Sequence, residues 1–315
     1  MTVVTRKLMI DGTLAPSAVN FLNEIPEQAL FHNEHRLRHP ATLYRLSLEK
    51  IADAFCPVAE GYLLETDNLR RDPNAPLEMT QLLKCQVHFL RVLQEYLDEL
   101  WLILKTLVDP KLAAKHGEFA EQYVIENKLP GARSFRDAVE CYKSTLRIAN
   151  KLKHQQCHLR AVGVWFHDSV HLGYCLEEPD ANGVLGPSPE IHPDHGAFSF
   201  ARDLTWHLAH VYLCSEKLVK AIARALSARG MSAPHKIAND HPKWNAVTSI
   251  LRKIPMAYFP KEMEQAIAKF SFDESSQMLT VKVPFRMHLR LPHPLRVRYV
   301  FPVHPHGLSC SPPIP

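Results

Sequence analysis

The stretch "LEMTQLLKCQVHFLRVLQEYLDELWLILKTLV", residues 77–108, decides the fold. Apolar residues dominate it with helical periodicity, which predicts one long α-helix. Its charged and histidine side chains recur at steps of three, four or seven residues and form one narrow stripe: Lys84, His88, Arg91, Glu95, Asp98 and Lys105. A helix that is apolar on most of its surface has to be enclosed by other elements, so we predict that it lies at the centre of a helical bundle.

The composition is that of a globular, helix-rich chain. Its 315 residues suit one large domain or two ordinary ones, and 46% apolar with 22% charged residues excludes wholesale disorder. Only 11 glycines are present, and the 24 prolines cluster outside the periodic stretches. The chain has no uncharged apolar run of about 18 residues, and its start lacks the apolar run of a signal peptide. We therefore expect a cytoplasmic protein without a membrane span.

The cysteines indicate free thiols. All seven are scattered and none forms a C-x-x-C pair: Cys56, Cys85, Cys141, Cys157, Cys175, Cys214 and Cys310. An odd and scattered set argues against a disulfide framework and against a zinc site built of cysteines alone.

The flanking patterns predict a mainly α fold: a helical bundle with an inserted β-hairpin and a small C-terminal β extension. Further helices are expected over 42–65 (bent or interrupted at Pro57), within 109–128, from Ser134 to about 154, over 199–229 and around 243–254. Alternating stretches at 159–166 and 170–177 predict the hairpin, and Asp11-Gly12 predicts a second one within residues 1–14. Strand-like stretches follow at 269–273, 278–291 and 295–304. The predicted divisions are 1–39 (an N-terminal hairpin and extended segment), 40–260 (the helical domain, with its hairpin near 159–177) and 261–315 (a basic β extension).

Positive charge is concentrated in two regions of the chain. Residues 133–160 contain seven Lys or Arg and two carboxylates, and residues 275–315 contain five Lys or Arg and no carboxylate. The net charge of the whole chain is only +4, so the remainder is acidic. Such regions either bind an anionic partner, with nucleic acid the leading candidate, or are ordinary solvated faces.

The stretch "RIANKLKH", residues 147–154, lies in the first basic region. On a helix, Arg147, Asn150, Lys151 and His154 share the face opposite an apolar stripe. Arg147 and His154 are two turns apart, about 10 Å along the axis, a gap that a long arginine can largely bridge. From geometry alone, this face also suits a solvated amphipathic helix.

This stretch resembles the R-x4-6-H signature of the HEPN superfamily, which comprises helical ribonucleases and RNA-binding modules of toxins, phage defence and RNA processing. Arg147 and His154 match its invariant pair, and the resemblance covers roughly residues 40–230. It implies a homodimer with a composite cleft, RNA as partner and no cofactor or metal. Many active members carry a polar residue directly after the arginine, where this chain has Ile148, so the resemblance also admits a member that binds RNA without cleaving it.

The resemblance implies a role for each residue of the stretch. His154 would move the proton of a ribose 2′-hydroxyl or leaving group, and Arg147 would stabilise phosphate charge. Lys151 and Lys153 would hold the RNA backbone, and Asn150 would orient the histidine or phosphate. Separately, we expect four arginines of the C-terminal region to contact RNA phosphates: Arg286, Arg290, Arg296 and Arg298.

Two other functions compete with this reading. Asp203, His207 and His210, at i, i+4 and i+7 of one predicted helix, could bind zinc or another divalent ion in a helical-bundle hydrolase. One of four further histidines would complete the set: His167, His171, His192 or His195. Alternatively, His207 and His210 lie on the flank of the apolar stripe of their helix and are satisfied by hydrogen bonds. A non-catalytic scaffold or antitoxin-like protein, whose basic regions bind an acidic surface, is the third hypothesis.

Overall fold

The structure is a computed structural model that describes residues 2–7, 14–114, 117–154, 156–166, 169–192, 196–234, 241–264, 267–273, 278–283 and 299–300. The helices are α1 (Ala18–Phe21), α2 (Pro40–Arg71), α3 (Met79–Lys105), α4 (Ala120–Glu126), α5 (Ala132–Thr145), α6 (Arg147–His154), α7 (Phe200–Ser227), α8 (Trp244–Leu251) and α9 (Pro260–Met263). The strands are β1 (Thr2–Lys7), β2 (His158–Phe166), β3 (Ser169–Pro179), β4 (Leu185–Pro187), β5 (Phe198–Ser199), β6 (Lys269–Asp273), β7 (Met278–Val283) and β8 (Tyr299–Val300). Helix makes up 55% of the structure, so the predicted mainly α class is confirmed.

Helix α7 is the most enclosed element of the fold. From Phe200 to Ser215 every residue except Thr205 is buried, and the helix contacts α1, α2, α3, α5 and strands of both sheets. Its N-terminus is capped by Ser199, whose hydroxyl accepts a hydrogen bond from the Arg202 amide. The helix predicted over 199–229 is therefore present, and it lies deeper in the core than α3.

Helices α2 and α3 pack against each other along their length. Phe55 meets Phe89 edge to face with ring centroids 5.8 Å apart. The sequence-predicted stripe on α3 is exposed except at its last member, Lys105, which is half-buried. Helix α2 continues through Pro57 and is not interrupted there. Pro57 has no amide hydrogen to donate to the Asp53 carbonyl. Both residues are exposed, so water can satisfy that carbonyl.

The strands form two antiparallel sheets. One has the order β1-β7-β6, and the other has the order β4-β3-β2-β8 with β5 also paired to β3. Strand β7 buries Leu279, Val281 and Val283 and contacts α7, as a strand with one face on the core should. In the other sheet, β2 and β3 pair from His158 opposite Glu177 to Phe166 opposite Ser169.

The predicted single helix from Ser134 to about 154 is two helices. The chain turns at Leu146, between α5 and α6, and both Leu146 and Ile148 are buried. Residues two apart on a straight helix point to nearly opposite sides, so a continuous helix that packs on the core with one face could not bury both. The break changes the helical phase and lets both side chains reach the core.

Other predicted elements differ in extent or in partner. The helix predicted within 109–128 is limited to Ala120–Glu126. Strand β1 pairs with β7, with Thr2 opposite Val283, and the Asp11-Gly12 turn lies outside the described residues. The segment before Pro40 contributes core side chains, among them Phe21 and Leu22, and does not simply follow the surface.

Tyr212 of α7 joins the N-terminal segment to α8. Its hydroxyl accepts a hydrogen bond from Trp244 Nε1 at 2.8 Å and donates one to the Leu14 carbonyl at 2.7 Å.

Within the described ranges, no helix combines the length and apolarity that crossing a membrane requires. Five cysteines in these ranges are free thiols: Cys56, Cys85, Cys157, Cys175 and Cys214.

Candidate functional site

Helix α6 places the motif residues at its two ends. Arg147 is its first residue and His154 its last, and the backbone between them is helical. Ile148 and Ala149 are buried, so α6 packs on the core with the face that the sequence assigned to it. The Arg147 side chain is 61% exposed and remains accessible to solvent. The side chain of His154 lies outside the described part of the structure.

Two carboxylates from outside α6 pair with its cationic side chains. Glu190, in the segment between β4 and β5, contacts Arg147 through Oε1 (3.3 Å to a guanidinium nitrogen) and Lys151 through Oε2 (3.1 Å to Nζ). Glu178 of β3 lies 2.6 Å from Lys151 Nζ. A single carboxylate thus bridges the two cations, and we call these four residues the α6 charge cluster.

Burial differs within the α6 charge cluster. The Lys151 and Glu178 side chains are only 12% and 17% exposed, whereas that of Glu190 is 47% exposed. Burial alone lowers the pKa of Lys151, but its hydrogen bonds to Glu178 and Glu190 outweigh burial and raise that pKa above the usual value. Burial likewise opposes ionisation of Glu178, yet hydrogen bonds from Lys151 and Ser188 lower its pKa. Both groups are therefore charged at neutral pH.

A tight turn presents Glu190 to α6. The His192 amide donates to the Ser188 carbonyl at 2.7 Å and closes the turn, and the Ser188 amide donates to the Leu176 carbonyl at 2.8 Å. The ring of His192 is buried, and its Nε2 accepts from the Leu176 amide at 2.8 Å. The turn is thereby fastened to β3 at both of its ends.

Much of the first basic region is paired with carboxylates. Besides Arg147 and Lys151, three of its cations have a carboxylate within 4.0 Å: Arg136 (Asp137, 3.6 Å), Lys143 (Glu121, 2.6 Å) and Arg160 (Glu177, 2.6 Å). Arg133 and Lys153 are exposed, and neither has such a partner among the described carboxylates. Except for Asp137, these carboxylates lie outside residues 133–160, so part of the net positive charge of this region is compensated from other parts of the chain.

Of the remaining predicted RNA-binding residues, the structure describes Asn150 and Lys153. Asn150 is exposed, and its amide oxygen accepts a hydrogen bond from Gln94 of α3. That contact holds α6 to α3 and leaves the Asn150 oxygen directed at the bundle. Four predicted contacts lie outside the described residues: Arg286, Arg290, Arg296 and Arg298.

The second predicted constellation lies in the interior. Asp203 Oδ2 accepts a hydrogen bond from Gln86 Nε2 at 2.7 Å, and its Oδ1 lies 3.2 Å from His207 Nε2. On the other side of the ring, His207 Nδ1 lies 3.1 Å from the Tyr142 hydroxyl. Tyr174 also accepts from Gln86 Nε2, at 3.2 Å. These buried side chains link α3, α5, α7 and β3 in one network.

His210 does not join Asp203 and His207 in a common site. Its Nδ1 donates to the Trp206 carbonyl at 2.9 Å, and its ring stacks on Tyr142 with centroids 4.6 Å apart. Burial lowers the pKa of His210 to about 3, so the ring is neutral at physiological pH.

The ligand set of the hydrolase hypothesis is not assembled. In the described ranges, no three His, Cys, Asp or Glu side chains are arranged to hold a metal ion. Two of the four histidines that would complete the set are engaged elsewhere, His192 with Leu176 and His171 Nδ1 with the Tyr258 carbonyl at 2.8 Å. His167 and His195 lie outside the described residues. The contacts of Asp203, His207 and His210 are those of a structural network.

Sequence reasoning missed the acidic half of the α6 charge cluster. Glu178 and Glu190 lie far from the motif along the chain, and no local pattern relates them to it. The one available signal was that 133–160 is strongly basic while most of the remaining chain is acidic, which favours pairing between the two.

Comparison of the chain with models of protein families, with curated proteins and with solved structures gives no match in any of the three. The α6 residues and their contacts are therefore the basis for assigning a function.

Proposed function

We propose that this protein is a HEPN-like RNA-binding protein or metal-independent endoribonuclease, as the resemblance of "RIANKLKH" implies. The observation that supports an anionic ligand is the bridging carboxylate. Glu190 places one oxygen against Arg147 and the other against Lys151, so a single anionic group can contact both cations. A phosphate offers oxygens in a comparable arrangement and is a good partner for arginine.

The proposed chemistry assigns a role to each end of α6. Arg147, exposed at the first turn, stabilises phosphate charge, and Lys151 holds the same phosphate from the next turn. His154 moves the proton of the attacking ribose hydroxyl or of the leaving group, a contribution of about 10²–10⁴-fold in rate. The helices form a HEPN-like bundle that pairs with a second copy through the α6 face, and the assembly acts in a toxin or phage-defence setting.

Two substitutions test this function directly. Arg147→Ala and His154→Ala should each abolish RNA cleavage, and Arg147→Ala should also weaken RNA binding. Because Arg147 is exposed, its replacement should leave the circular dichroism spectrum unchanged. Arg133→Ala is the matched control, since Arg133 is an exposed arginine on the preceding helix. Chelator should not reduce the cleavage.

The outcomes separate the hypotheses. Normal cleavage by both variants would contradict the nuclease assignment. RNA binding that depends on Arg147 without any cleavage would identify a binding-only member, in line with Ile148. Binding of an acidic protein without any binding of RNA would favour the scaffold or antitoxin-like hypothesis.

The carboxylate-free C-terminal region gives an independent test of RNA binding. Replacing Arg286, Arg290, Arg296 and Arg298 with Gln should weaken binding similarly for unrelated RNA sequences. It should also flatten the log–log salt dependence by about three units, because each neutralised phosphate contributes about 0.7–0.9. Unchanged affinity and slope would mean that these arginines serve only solubility.

A further inference from the structure

We infer that Glu190 occupies the place of an RNA phosphodiester, so that RNA enters the Arg147–Lys151 site by displacing this carboxylate. The inference rests on the proposed function and adds to it the residue with which the RNA backbone competes. The ligand inferred for the Arg147–Lys151 site is an internal phosphodiester, which carries the same single negative charge as the Glu190 side chain that it replaces.

The first support is the contact geometry. Each oxygen of Glu190 has its own cation, Oε1 at 3.3 Å from an Arg147 guanidinium nitrogen and Oε2 at 3.1 Å from Lys151 Nζ. The two non-bridging oxygens of a phosphodiester, likewise held on one central atom, can make the same pair of contacts. Glu190 therefore occupies the position that a shared phosphate would take.

The second support is how the carboxylate is delivered. Glu190 lies within the turn from Ser188 to His192. Two hydrogen bonds hold this turn to Leu176 of β3: the Ser188 amide donates to the Leu176 carbonyl, and the Leu176 amide donates to His192 Nε2. The backbone of the turn stays fixed on the sheet, while the long and flexible side chain of Glu190 is 47% exposed. The carboxylate can therefore swing into solvent without any change in the fold.

The third support is the difference in burial between Glu190 and Glu178, the two carboxylates that contact Lys151. The Arg147–Glu190 pair is exposed on both sides, and exposed ion pairs contribute little to stability. Lys151 keeps Glu178 as a partner when Glu190 leaves, so the displacement strands no buried charge. Glu178 is mostly buried and also accepts a hydrogen bond from the Ser188 hydroxyl at 2.9 Å, so it stays with Lys151. Only one of the two acidic residues is positioned to leave.

Charge then selects the ligand. With Glu190 withdrawn, Arg147, Lys151 and Glu178 together carry one net positive charge. A phosphodiester carries one negative charge and restores neutrality, whereas a terminal phosphate carries about −1.5 to −2 at pH 7 and would leave an excess. The site accordingly favours the internal backbone of RNA over a phosphorylated end.

The test compares variants in binding to a labelled, mixed-sequence single-stranded RNA at low ionic strength. Glu190→Gln should bind this RNA about threefold to tenfold more tightly, because the ion pairs of Glu190 with Arg147 and Lys151 no longer compete with the RNA backbone. Asp53→Asn is the matched control. It removes one carboxylate from an exposed ion pair with Lys243, on α2 and away from α6, and so changes the net charge equally. In an Arg147→Gln background, the gain from Glu190→Gln should shrink.

Each result bears on the inference. Tighter binding by Glu190→Gln alone, reduced in the Arg147→Gln background, supports displacement. Equal gains for Glu190→Gln and Asp53→Asn, or the same gain with and without Arg147, would show a net-charge effect and overturn it. Unchanged binding by Glu190→Gln alongside weaker binding by Arg147→Gln would overturn displacement and leave the proposed function intact. If Arg147→Gln also binds RNA normally, the proposed function fails as well.

A second comparison tests the ligand class. The same RNA with and without a 5′-phosphate should bind equally well, and the gain from Glu190→Gln should be the same for both. A gain confined to the phosphorylated RNA would contradict the assignment of an internal phosphodiester.

Discussion

The Tyr142 hydroxyl lies 3.1 Å from Nδ1 of His207, so a buried polar contact joins α5 to the central helix α7. The same Tyr142 ring stacks on His210, and burial raises the pKa of the phenol well above its usual value. Helix α5 leads directly into α6, where Arg147 and Lys151 meet Glu190. Tyr142 is therefore part of the support that fixes the α6 charge cluster relative to the core.

Tyr142→Phe tests that support. The change keeps the ring and its stacking but leaves His207 Nδ1 buried without this partner, so we expect the free energy of unfolding to fall by about 1–3 kcal/mol. Urea denaturation measures it. Tyr123→Phe is a suitable control, because Tyr123 is buried on α4 and also packs by its ring, 5.5 Å from that of His35. Equal losses for the two variants would contradict a specific role for the Tyr142 hydroxyl.

Gln86→Met tests the other end of the network. Gln86 is fully buried and donates to Asp203 at 2.7 Å, so the apolar replacement removes a donor from a buried carboxyl group. Leaving a buried polar group without its hydrogen-bond partner costs about 1–3 kcal/mol, and we expect a loss of stability in that range. The same replacement at exposed Gln81, on the same helix, should change the stability by less than about 0.5 kcal/mol.

Periodicity predicted the long helices well because their burial is decided locally. The polar stripe of α3 can be read along a single helix, and its members are exposed except for half-buried Lys105. The division of the motif helix at Leu146 could not be read in the same way. It depends on burying both Leu146 and Ile148, and that requirement comes from the surrounding core.

The partners of the site residues are set by tertiary contacts. The sequence placed Arg147 and Lys151 on one helix face but contained no sign that Glu190 bridges them from the β4–β5 segment. Asp203 and His207 were predicted on the flank of α7, yet they are buried because α7 is enclosed on nearly all sides. A polar residue on a helix that is covered all round requires an internal partner, and Gln86 provides one for Asp203.

His210→Phe should change the acid sensitivity of the protein. Burial lowers the pKa of His210 to about 3, whereas an unfolded histidine titrates near 6.5. Between these pH values the unfolded chain binds one more proton, so this contribution to stability is complete above pH 6.5 and declines as the pH falls. For each unit by which the pH falls within that window, the folding equilibrium constant of the wild type should decrease about tenfold relative to that of His210→Phe.

Urea titrations at a series of pH values measure this difference. The comparison between wild type and variant cancels other groups, including buried Glu262, whose raised pKa acts with the opposite sign. His88→Asn is the control, because His88 is exposed on α3 and its replacement removes a histidine without changing the core. Parallel profiles for wild type and His210→Phe would show that His210 is protonated at the same pH in both states.

Gly173→Ala should destabilise the junction between the second sheet and α7. A Cβ at Gly173 would lie 2.1 Å from the Phe198 carbonyl oxygen and 2.5 Å from Cζ of Phe259. The carbonyl belongs to β5, which pairs with β3 and runs directly into the capped start of α7, so it has little room to move. Overpacking of this kind costs about 1–3 kcal/mol and occasionally more, and urea denaturation should show a loss of at least that size.

Gly186→Ala is the control, since a Cβ there meets nothing within 4 Å, and its stability should stay close to that of the wild type. If Gly173→Ala is as stable as Gly186→Ala, β5 is not held against β3 as closely as the structure shows, and the α7 cap would have to be positioned by its bonds to Glu262 alone.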